Sequence, residues 1–289
     1  MDLVEPIVEL YRRMSCELPA DVVAALEAAR DAEEMGSAGR DALDTILENV
    51  RLARESGRPM CQDTGTPVFT VARPSGTREA DVRDAILEAT REATTRGYLR
   101  PNAVDPVTGE NSTDNTGVDF PIVHLHETSA DAALVIDAML KGGGCENVGE
   151  RYKLPDASLG AARDLDGVRR CVLDAVHLAQ GRGCPPYILG VAIGGTRDAT
   201  AALAKGQLLR PLDDVSPVAA LATLERQLCD DANRLGIGPA GLGGKTTVLA
   251  VKAAVQHRHC ACYFVEVMFG CWAMRRGRMV VDETGEHYA

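Results

Sequence analysis

Apolar residues recur at helical spacing through the first 56 residues of the chain. Val4, Ile7 and Val8 share one face, and similar sets recur within residues 22–29 and 43–50. A repeat of about 3.6 residues places such side chains on one face of an amphipathic helix. The pattern therefore predicts a helical N-terminal layer over residues 1–56.

Beyond residue 66 the chain also contains short, mostly apolar runs, which are typical of strands. These runs cover residues 68–71, 122–126, 133–139, 187–193, 247–255 and 263–269. Helical spacing returns between them, at residues 81–96, 164–179, 198–208 and 216–235. Because the runs at 122–126 and 133–139 are close in sequence, they are predicted to pair as a hairpin.

This succession of elements predicts an α/β fold, in which a mixed β-sheet with surrounding helices follows the helical layer. The chain has 289 residues and is assigned a single domain over residues 1–289, with the helical layer inside it. Aromatic residues make up only 4% of the chain, so the core is predicted to be aliphatic.

Charge and hydropathy narrow the classes of function. The net charge is −11, which argues against nucleic acid or an anionic membrane as the main partner. No apolar run approaches the roughly 20 residues that span a bilayer. The acidic N-terminus does not resemble a signal peptide, so a cytoplasmic location is expected. Nine cysteines in such a protein favour metal or redox chemistry over disulfide bonds.

The cysteines allow more than one ligand set. Cys61, Cys184 and Cys271 each stand near a Gly or Pro, where a turn can expose the side chain. We hypothesise that they hold three irons of a [4Fe-4S] cluster and leave the fourth iron open to substrate. Three others lie within helical patterns and are predicted to be buried: Cys16, Cys171 and Cys229. The last three compete as ligands, and spacing alone does not choose between them and the first set: Cys145, Cys260 and Cys262.

Two glycine-rich segments could bring backbone N–H groups close to an anion. Gly142–Gly144 follow a predicted strand, and residues 236–247 follow a predicted helix. The second segment matches G-x-G-x-x-G, but a dinucleotide site has a strand before this motif and a helix after it. A P-loop is also excluded, since Pro239 stands where its first glycine belongs. Each segment is interpreted as either a tight turn or the wall of a binding site.

Two sets of ionisable residues also have two interpretations. His257-Arg258-His259 is either a surface loop or a cationic, proton-handling group in an anion site. Asp63, two residues after Cys61, is either a turn former or an acid beside a cluster.

Eight segments, taken together and in order, resemble class I iron–sulfur fumarate hydratases and the related L(+)-tartrate dehydratases. The resemblance is to the α subunit, or to the N-terminal part of the single-chain enzymes. The matching segments are Cys61–Gly65, Leu99–Pro106, Lys141–Gly144, Cys184–Pro186, Gly194–Thr196, Leu235–Thr247, Arg258-His259 and Cys271–Ala273.

The resemblance assigns Cys61, Cys184 and Cys271 as ligands of a [4Fe-4S] cluster with one open iron, in agreement with their Gly and Pro context. Thiolates suit an iron–sulfur cluster better than a hard cation. In this family the open iron acts as a Lewis acid on the hydroxyl that leaves or adds.

The resemblance also assigns the residues that meet the substrate. Asp63 would handle the proton on the iron-bound hydroxyl, and His259 would hydrogen-bond the substrate or that hydroxyl. Gln62 would lie with Asp63 at the open iron, and Arg100 would clamp a substrate carboxylate. The backbone of Gly143–Gly144 would line the pocket.

The implied activity is the reversible addition of water to a small dicarboxylate, with fumarate and (S)-malate as the main pair. L(+)-tartrate and mesaconate remain alternative substrates, because Cys145 and Cys260-Ala261-Cys262 depart from residues common in the family. Residues 142–145 and 271–277 look more like the tartrate branch, whereas residues 100–106 and 243–247 look more like the fumarase branch. A non-catalytic iron–sulfur sensor or scaffold is the alternative of another class. The family's catalytic base lies in a C-terminal domain or β subunit, so the chain is expected to need a separately encoded β subunit, in an α2β2 assembly or as an α dimer.

Overall fold

The computed structural model describes residues 2–289 and divides into two compact units. The five-stranded unit contains the residues up to Pro19, Glu48–Gly143 and Ala273–Ala289. The four-stranded unit contains Ala20–Leu47 and Gly144–Trp272. Each unit combines helices with a mixed β-sheet, so the predicted α/β class is confirmed.

The helices are α1 Val4–Cys16, α2 Ala20–Ala32, α3 Ala38–Ser56, α4 Glu79–Thr95, α5 Gly143–Asn147, α6 Leu165–Ala179, α7 Arg197–Gln207 and α8 Ala219–Asn233. The strands are β1 Thr66–Pro74, β2 Ile122–Thr128, β3 Leu134–Lys141, β4 Glu150–Lys153, β5 Tyr187–Gly194, β6 Val248–Gln256, β7 Phe264–Gly270, β8 Arg275–Asp282 and β9 Gly285–Tyr288. Among residues 2–289, no helix has both the length and the apolar character to cross a bilayer.

The helices predicted for the N-terminal layer are present and are shared between the units. α1 lies in the five-stranded unit and α2 in the four-stranded unit, while α3 has residues in both. Each unit has its own sheet and its own apolar core. The single domain predicted over residues 1–289 stays a prediction.

The five-stranded sheet has the strand order β2-β1-β3-β8-β9. β1 and β2 are parallel, and the other neighbours are antiparallel. Phe69 of β1, Ile136 of β3 and Ile86 of α4 are fully buried. The ring of Tyr11 in α1 meets Phe69 edge to face, with 5.6 Å between the ring centroids. Because alternate strand residues share a face, this side of the sheet carries the core beneath α1 and α4.

The four-stranded sheet has the strand order β4-β7-β5-β6, in which β5 and β6 are parallel and the other neighbours are antiparallel. All 8 residues of β5 are buried, which accounts for its unbroken apolar run. Val172 of α6 and Leu228 of α8 belong to the core on one side, and α7 packs against β5. Gly190 permits that approach, because a Cβ there would lie 2.1 Å from the carbonyl oxygen of Ala204.

The hairpin predicted from residues 122–126 and 133–139 is wrong. β2 and β3 form there, but β1 lies between them, parallel to β2 and antiparallel to β3. β2 alternates partly buried and exposed residues, whereas the first half of β1 is largely buried. A half-exposed strand suits the edge of a sheet, and a buried strand needs a partner on each side.

β8 and β9 are absent from the predicted strands. β8 pairs with β3 inside the five-stranded sheet, and β9 forms its edge. The available signals were the buried alternation of Met279 and Val281 and the Glu283-Thr284 turn. The arginines in the first half of β8 obscured the apolar pattern.

Candidate active site

Two of the three predicted cluster ligands lie at one edge of the four-stranded sheet, namely the edge at which β5 begins and β7 ends. β5 and β7 are antiparallel, and Ile188 pairs with Gly270, so the start of β5 meets the end of β7. Cys184 precedes β5 and Cys271 follows β7. The backbone N–H of Trp272 donates to the carbonyl oxygen of Cys184 at 3.3 Å. The strand register therefore brings these two thiol-bearing segments together.

Cys184 occupies an unusual backbone conformation. Its φ is +60°, a left-handed value that non-glycine residues seldom adopt and that is enriched at functional sites. The residue is exposed, and Cys271 is half-buried. Exposed and half-buried thiols on two adjacent segments suit ligation better than thiols within a core.

The competing cysteines have different surroundings. The thiol of Cys145 is buried and donates to the carbonyl oxygen of Gly183 at 3.3 Å. Cys145 therefore lies beside the Cys184 turn, with its sulfur directed at the backbone. The cysteines predicted to be structural lie within helices and are buried or half-buried, and burial raises the thiol pKa of each: Cys16, Cys171 and Cys229.

The five-stranded unit holds the carboxylate of Asp63 firmly. One carboxylate oxygen accepts from the N–H of Gly65 at 2.9 Å and the other from the N–H of Gly143 at 2.7 Å. The carbonyl oxygen of Asp63 accepts from the guanidinium of the buried Arg275. Gly65 is required at its position, because its φ is +85° and a Cβ would lie 2.7 Å from the carbonyl carbon of Leu140. The acid predicted near the cluster thus has a fixed orientation.

Thr64 connects this acid to the predicted carboxylate clamp. Its buried hydroxyl accepts from the backbone N–H of Arg100 at 3.0 Å and from the side-chain amide of Asn102 at 3.1 Å. The guanidinium-bearing residue Arg100 is exposed. The five-stranded unit therefore holds the Asp63 and Arg100 backbones in the same neighbourhood.

The polar loop at residues 100–119 is ordered around Asn115. This buried side chain accepts from the N–H groups of Asn102 and Ala103, at 2.7 and 3.2 Å. It donates to the hydroxyl of Thr94 and to the carbonyl oxygen of Arg100, both at 3.0 Å. Sequence reasoning missed Asn115 and Thr64, whose role depends on partners that only the folded loop supplies.

Gly142–Gly144 form the entry to a helix rather than a left-handed turn. None of the three is among the described glycines with positive φ, and α5 begins at Gly143. The N–H of Gly143 is engaged by Asp63. In the four-stranded unit, a Cβ on Gly144 would lie 3.4 Å from the carbonyl oxygen of Arg182, so this backbone passes close to the turn that carries Cys184.

The glycine-rich segment at residues 236–247 does receive an anion, and that anion is the chain's own Glu33. The buried carboxylate accepts from the N–H of Lys245 at 2.8 and 3.0 Å and from the N–H of Thr246 at 2.9 Å. A Cβ on Gly244 would lie 2.9 Å from both carboxylate oxygens. The donors of Lys245 and Thr246 bind an acidic side chain of the fold itself, and the interpretation of this segment as the wall of a binding site stays a prediction.

Replacing Glu33 with glutamine is expected to lower the free energy of unfolding by about 1–3 kcal/mol, the cost of leaving a buried donor unsatisfied. The amide keeps one acceptor oxygen and turns its NH2 group towards backbone N–H donors. The matched control is Glu34→Gln, because the side chain of Glu34 is 79% exposed. Urea unfolding measures both variants, and equal midpoints for them would contradict the anchoring role of Glu33.

His259 lies on the exposed loop between β6 and β7. Its Nδ1 accepts from the N–H of Ala261 at 3.1 Å, so the neutral ring carries its proton on Nε2. The guanidinium of Arg258 donates to the carbonyl oxygens of His259, Cys260 and Cys262, at 3.0 to 3.2 Å. These hydrogen bonds from Arg258 stabilise the turn at residues 259–262.

The four-stranded unit does not bring His259 to the Cys184 edge. β7 has 7 residues, and His259 precedes its first residue while Cys271 follows its last. An extended strand of this length separates the two ends by about 20 Å. The predicted contact of His259 with substrate at the cluster stays a prediction.

A cavity of about 570 Å³ opens beside Cys184 in the four-stranded unit. The first half of α3 contributes part of its wall, and Pro185, Leu242 and Trp272 contribute apolar surface. Asp41 is the only charged residue among the described lining residues. A dicarboxylate needs cationic partners, so this cavity by itself does not provide its binding site.

The described part of the chain offers no ready-made site for a single metal ion. Residues 2–289 contain no group of three His, Cys, Asp or Glu side chains that could hold one metal ion. A cluster differs in this respect, because each cysteine thiolate binds a different iron. Cys61 lies in the five-stranded unit. Its role as the third ligand stays a prediction.

Comparison with known proteins places the chain in a family. Residues 4–280 match the family model described as fumarate hydratase (Fumerase). A protein of Geobacillus stearothermophilus named as a fumarate hydratase class I is 44% identical over 288 residues, which cover 98% of this chain and 56% of that relative. The chain therefore spans little more than half the length of this relative.

Shorter relatives match along most of their length. A protein of Methanocaldococcus jannaschii named as an L(+)-tartrate dehydratase subunit alpha is 35% identical, over 96% of each chain. The L(+)-tartrate dehydratase subunit alpha of Escherichia coli K12 is 34% identical, over 96% of this chain and 90% of the relative. These matches confirm the resemblance carried by the cysteine and glycine motifs, and the chain belongs to the fumarate hydratase (Fumerase) family.

Proposed function

We propose that this chain is the cluster-bearing α part of a cytoplasmic hydro-lyase that reversibly adds water to a small dicarboxylate. Fumarate and (S)-malate are the main substrate pair, and L(+)-tartrate is the alternative. The family match supports the reaction class. The observation that carries the proposal is the convergence of the Cys184 and Cys271 segments at one sheet edge.

The donor set fits an iron–sulfur cluster. Cys184 and Cys271 present exposed or half-buried thiols from a rigid edge, and thiolates favour iron–sulfur clusters over hard cations. The proposed third ligand is Cys61, which immediately precedes Gln62 and Asp63. When bound, a [4Fe-4S] cluster with one open iron supplies a Lewis acid for the substrate hydroxyl.

The chain's own residues would orient the substrate and move its proton. Both oxygens of Asp63 are held by backbone N–H groups, yet a carboxylate has further lone pairs with which to exchange a proton. Arg100 offers a planar guanidinium that can bind a substrate carboxylate through two parallel hydrogen bonds. Gln62 and the Gly143–Gly144 backbone would complete the contacts to the substrate.

A separately encoded β subunit is proposed to supply the remaining groups, in an α2β2 assembly or around an α dimer. Two relatives carry the name subunit alpha, and the longer relative extends well beyond the matched part. The catalytic base and additional cationic groups would come from that partner. The exposed carboxylate clamp of Arg100 would then face only part of the substrate.

Anaerobic reconstitution with iron and sulfide tests this proposal. The chain alone should acquire broad visible absorbance without turnover, and mixing with a β-type chain should give hydration of fumarate. Fumarate, L-tartrate and mesaconate are compared, with the β-type chain alone as the control. Full activity without the partner would contradict the shared site. A cluster without turnover in the mixture would favour a sensor or scaffold.

A further inference from the structure

The turn that carries Cys184 is bracketed by two uncommon backbone conformations. Gln180 has φ of +47° and Cys184 has φ of +60°. Non-glycine residues keep such values only where the surrounding structure determines them. The backbone of residues 180–184 must therefore be held by specific contacts.

The hydroxyl of Tyr187 supplies two of these contacts. It accepts from the N–H of Gly183 at 3.1 Å and donates to the carbonyl oxygen of Gln180 at 2.6 Å. One hydroxyl thus closes the turn from the inside and joins both of its ends. Burial raises the pKa of Tyr187 to about 12, so the hydroxyl keeps its proton and remains a donor at neutral pH.

The ring of Tyr187 cannot move away from the turn. The residue is fully buried, and its ring meets Phe269 of β7 edge to face, with 5.0 Å between centroids. A Cβ on Gly183 would lie 2.9 Å from the ring, so only glycine allows this approach. The position of the hydroxyl is therefore set by the β5 and β7 strands that also carry the two cysteine segments.

Two further contacts hold the other side of the turn. The thiol of Cys145 donates to the carbonyl oxygen of Gly183 at 3.3 Å. A Cβ on Gly181 would lie 3.1 Å from the Cα of Gly241, so these two backbones pack directly together. Within the turn, the N–H of Cys184 also donates to the carbonyl oxygen of Gly181 at 3.2 Å. None of these contacts reaches the carbonyl oxygen of Gln180, which the Tyr187 hydroxyl binds.

We infer that Tyr187 is a positioning residue. Its hydroxyl fixes the Cys184 turn in the conformation needed for cluster ligation. Its two hydrogen bonds hold residues 180–183 so that Cys184 presents its thiol beside the Cys271 segment. The ligand role of Cys184 rests on the proposed function, whereas the control of the turn by Tyr187 rests on the contacts above.

The test compares Tyr187→Phe with Tyr152→Phe, which removes another hydrogen-bonded hydroxyl from the same unit. The hydroxyl of Tyr152 donates to Asp174 at 2.8 Å, away from the turn. In the cluster-free chain, the amides of residues 181–184 should exchange with solvent about tenfold faster in Tyr187→Phe, the change expected when one or two buried hydrogen bonds are lost. Peptide-resolved alkylation should also report a changed rate at Cys184.

After anaerobic reconstitution, Tyr187→Phe should lose its visible absorbance to a chelator about tenfold faster than the wild type, while Tyr152→Phe matches the wild type. Urea unfolding shows whether both variants lose similar global stability. Wild-type exchange, alkylation and cluster retention in Tyr187→Phe would overturn the inference. If the wild type itself takes up no cluster, the proposed function fails, and the exchange and alkylation measurements still decide the role of Tyr187.

Discussion

Serine in place of Cys184 is expected to leave the reconstituted chain without broad visible absorbance. Turnover by the assembled enzyme should fall at least about 1,000-fold, because a Lewis-acidic metal contributes several kcal/mol and about 1.4 kcal/mol corresponds to a factor of ten. A serine hydroxyl is a harder and much weaker ligand for iron than a thiolate. Absorbance spectra and iron content per chain measure the first effect, and fumarate hydration measures the second.

The fold should survive this substitution. The carbonyl oxygen of Cys184 bonds to the N–H of Trp272, and the neighbouring Gly183 is held by Tyr187 and Cys145. These contacts use the backbone of the turn. Serine has the same branching at Cβ as cysteine, so φ of +60° creates no new steric conflict. Loss of the cluster would therefore report on ligation.

Cys260→Ser is the control for Cys184→Ser. Cys260 is also exposed, but it lies on the loop at the other end of β7. This variant should keep the absorbance and activity of the wild type. The reverse outcome, with absorbance kept in Cys184→Ser and lost in Cys260→Ser, would contradict the proposed ligand set.

The chain's single tryptophan offers a second measurement. Trp272 follows Cys271 directly, and its backbone N–H donates to the carbonyl oxygen of Cys184. A cluster absorbs light where tryptophan emits, so cluster assembly should quench this fluorescence. Quenching is expected in the wild type and in Cys260→Ser, and should be absent in Cys184→Ser.

Asparagine in place of Asp63 is expected to lower kcat by about 100- to 10,000-fold, the usual contribution of a general acid or base. The amide cannot exchange the proton that a carboxylate exchanges, and one of its two positions no longer accepts from a backbone N–H. The visible absorbance should remain, because Asp63 is not a proposed ligand. Steady-state kinetics on fumarate and (S)-malate measure the effect, and KM should change less than kcat.

Asp282→Asn separates this chemical effect from a structural one. In both aspartates a carboxylate oxygen accepts from the N–H group two residues later, Gly65 in one case and Thr284 in the other. Asp282 is the last residue of β8, directly before the turn to β9. Its variant should retain wild-type kcat. A similar fall in kcat for both variants, or wild-type kcat in Asp63→Asn, would count against the proton-handling role.

Periodicity located most elements because it reflects burial directly. The unbroken apolar run at residues 187–193 became the buried strand β5, and the helical spacing at 164–179 became α6, with Asp164 capping its first turn. Strand pairing was not available in the same way. β1 separates β2 from β3, and β8 joins β3 from the C-terminal end of the chain.

The candidate site was likewise predictable from the sequence only in part. The cysteine and glycine motifs indicated the family and the candidate ligands, because such residues keep their chemistry wherever the chain places them. The motifs contained no information about Tyr187, whose role depends on its position inside the turn. They also gave no sign of Glu33, which bonds to backbone groups more than 200 residues later.

The sequence by itself determined the α/β class, the family and the chemistry of the thiols near Gly and Pro. These properties follow from local periodicity and from residue type. Only the tertiary structure decided that Cys184 and Cys271 share a sheet edge while His259 lies at the other end of β7. It also decided that the carboxylate of Glu33 accepts from backbone N–H groups of the glycine-rich segment. Contacts of this kind depend on strand register and on the closure of long loops, which no local pattern encodes.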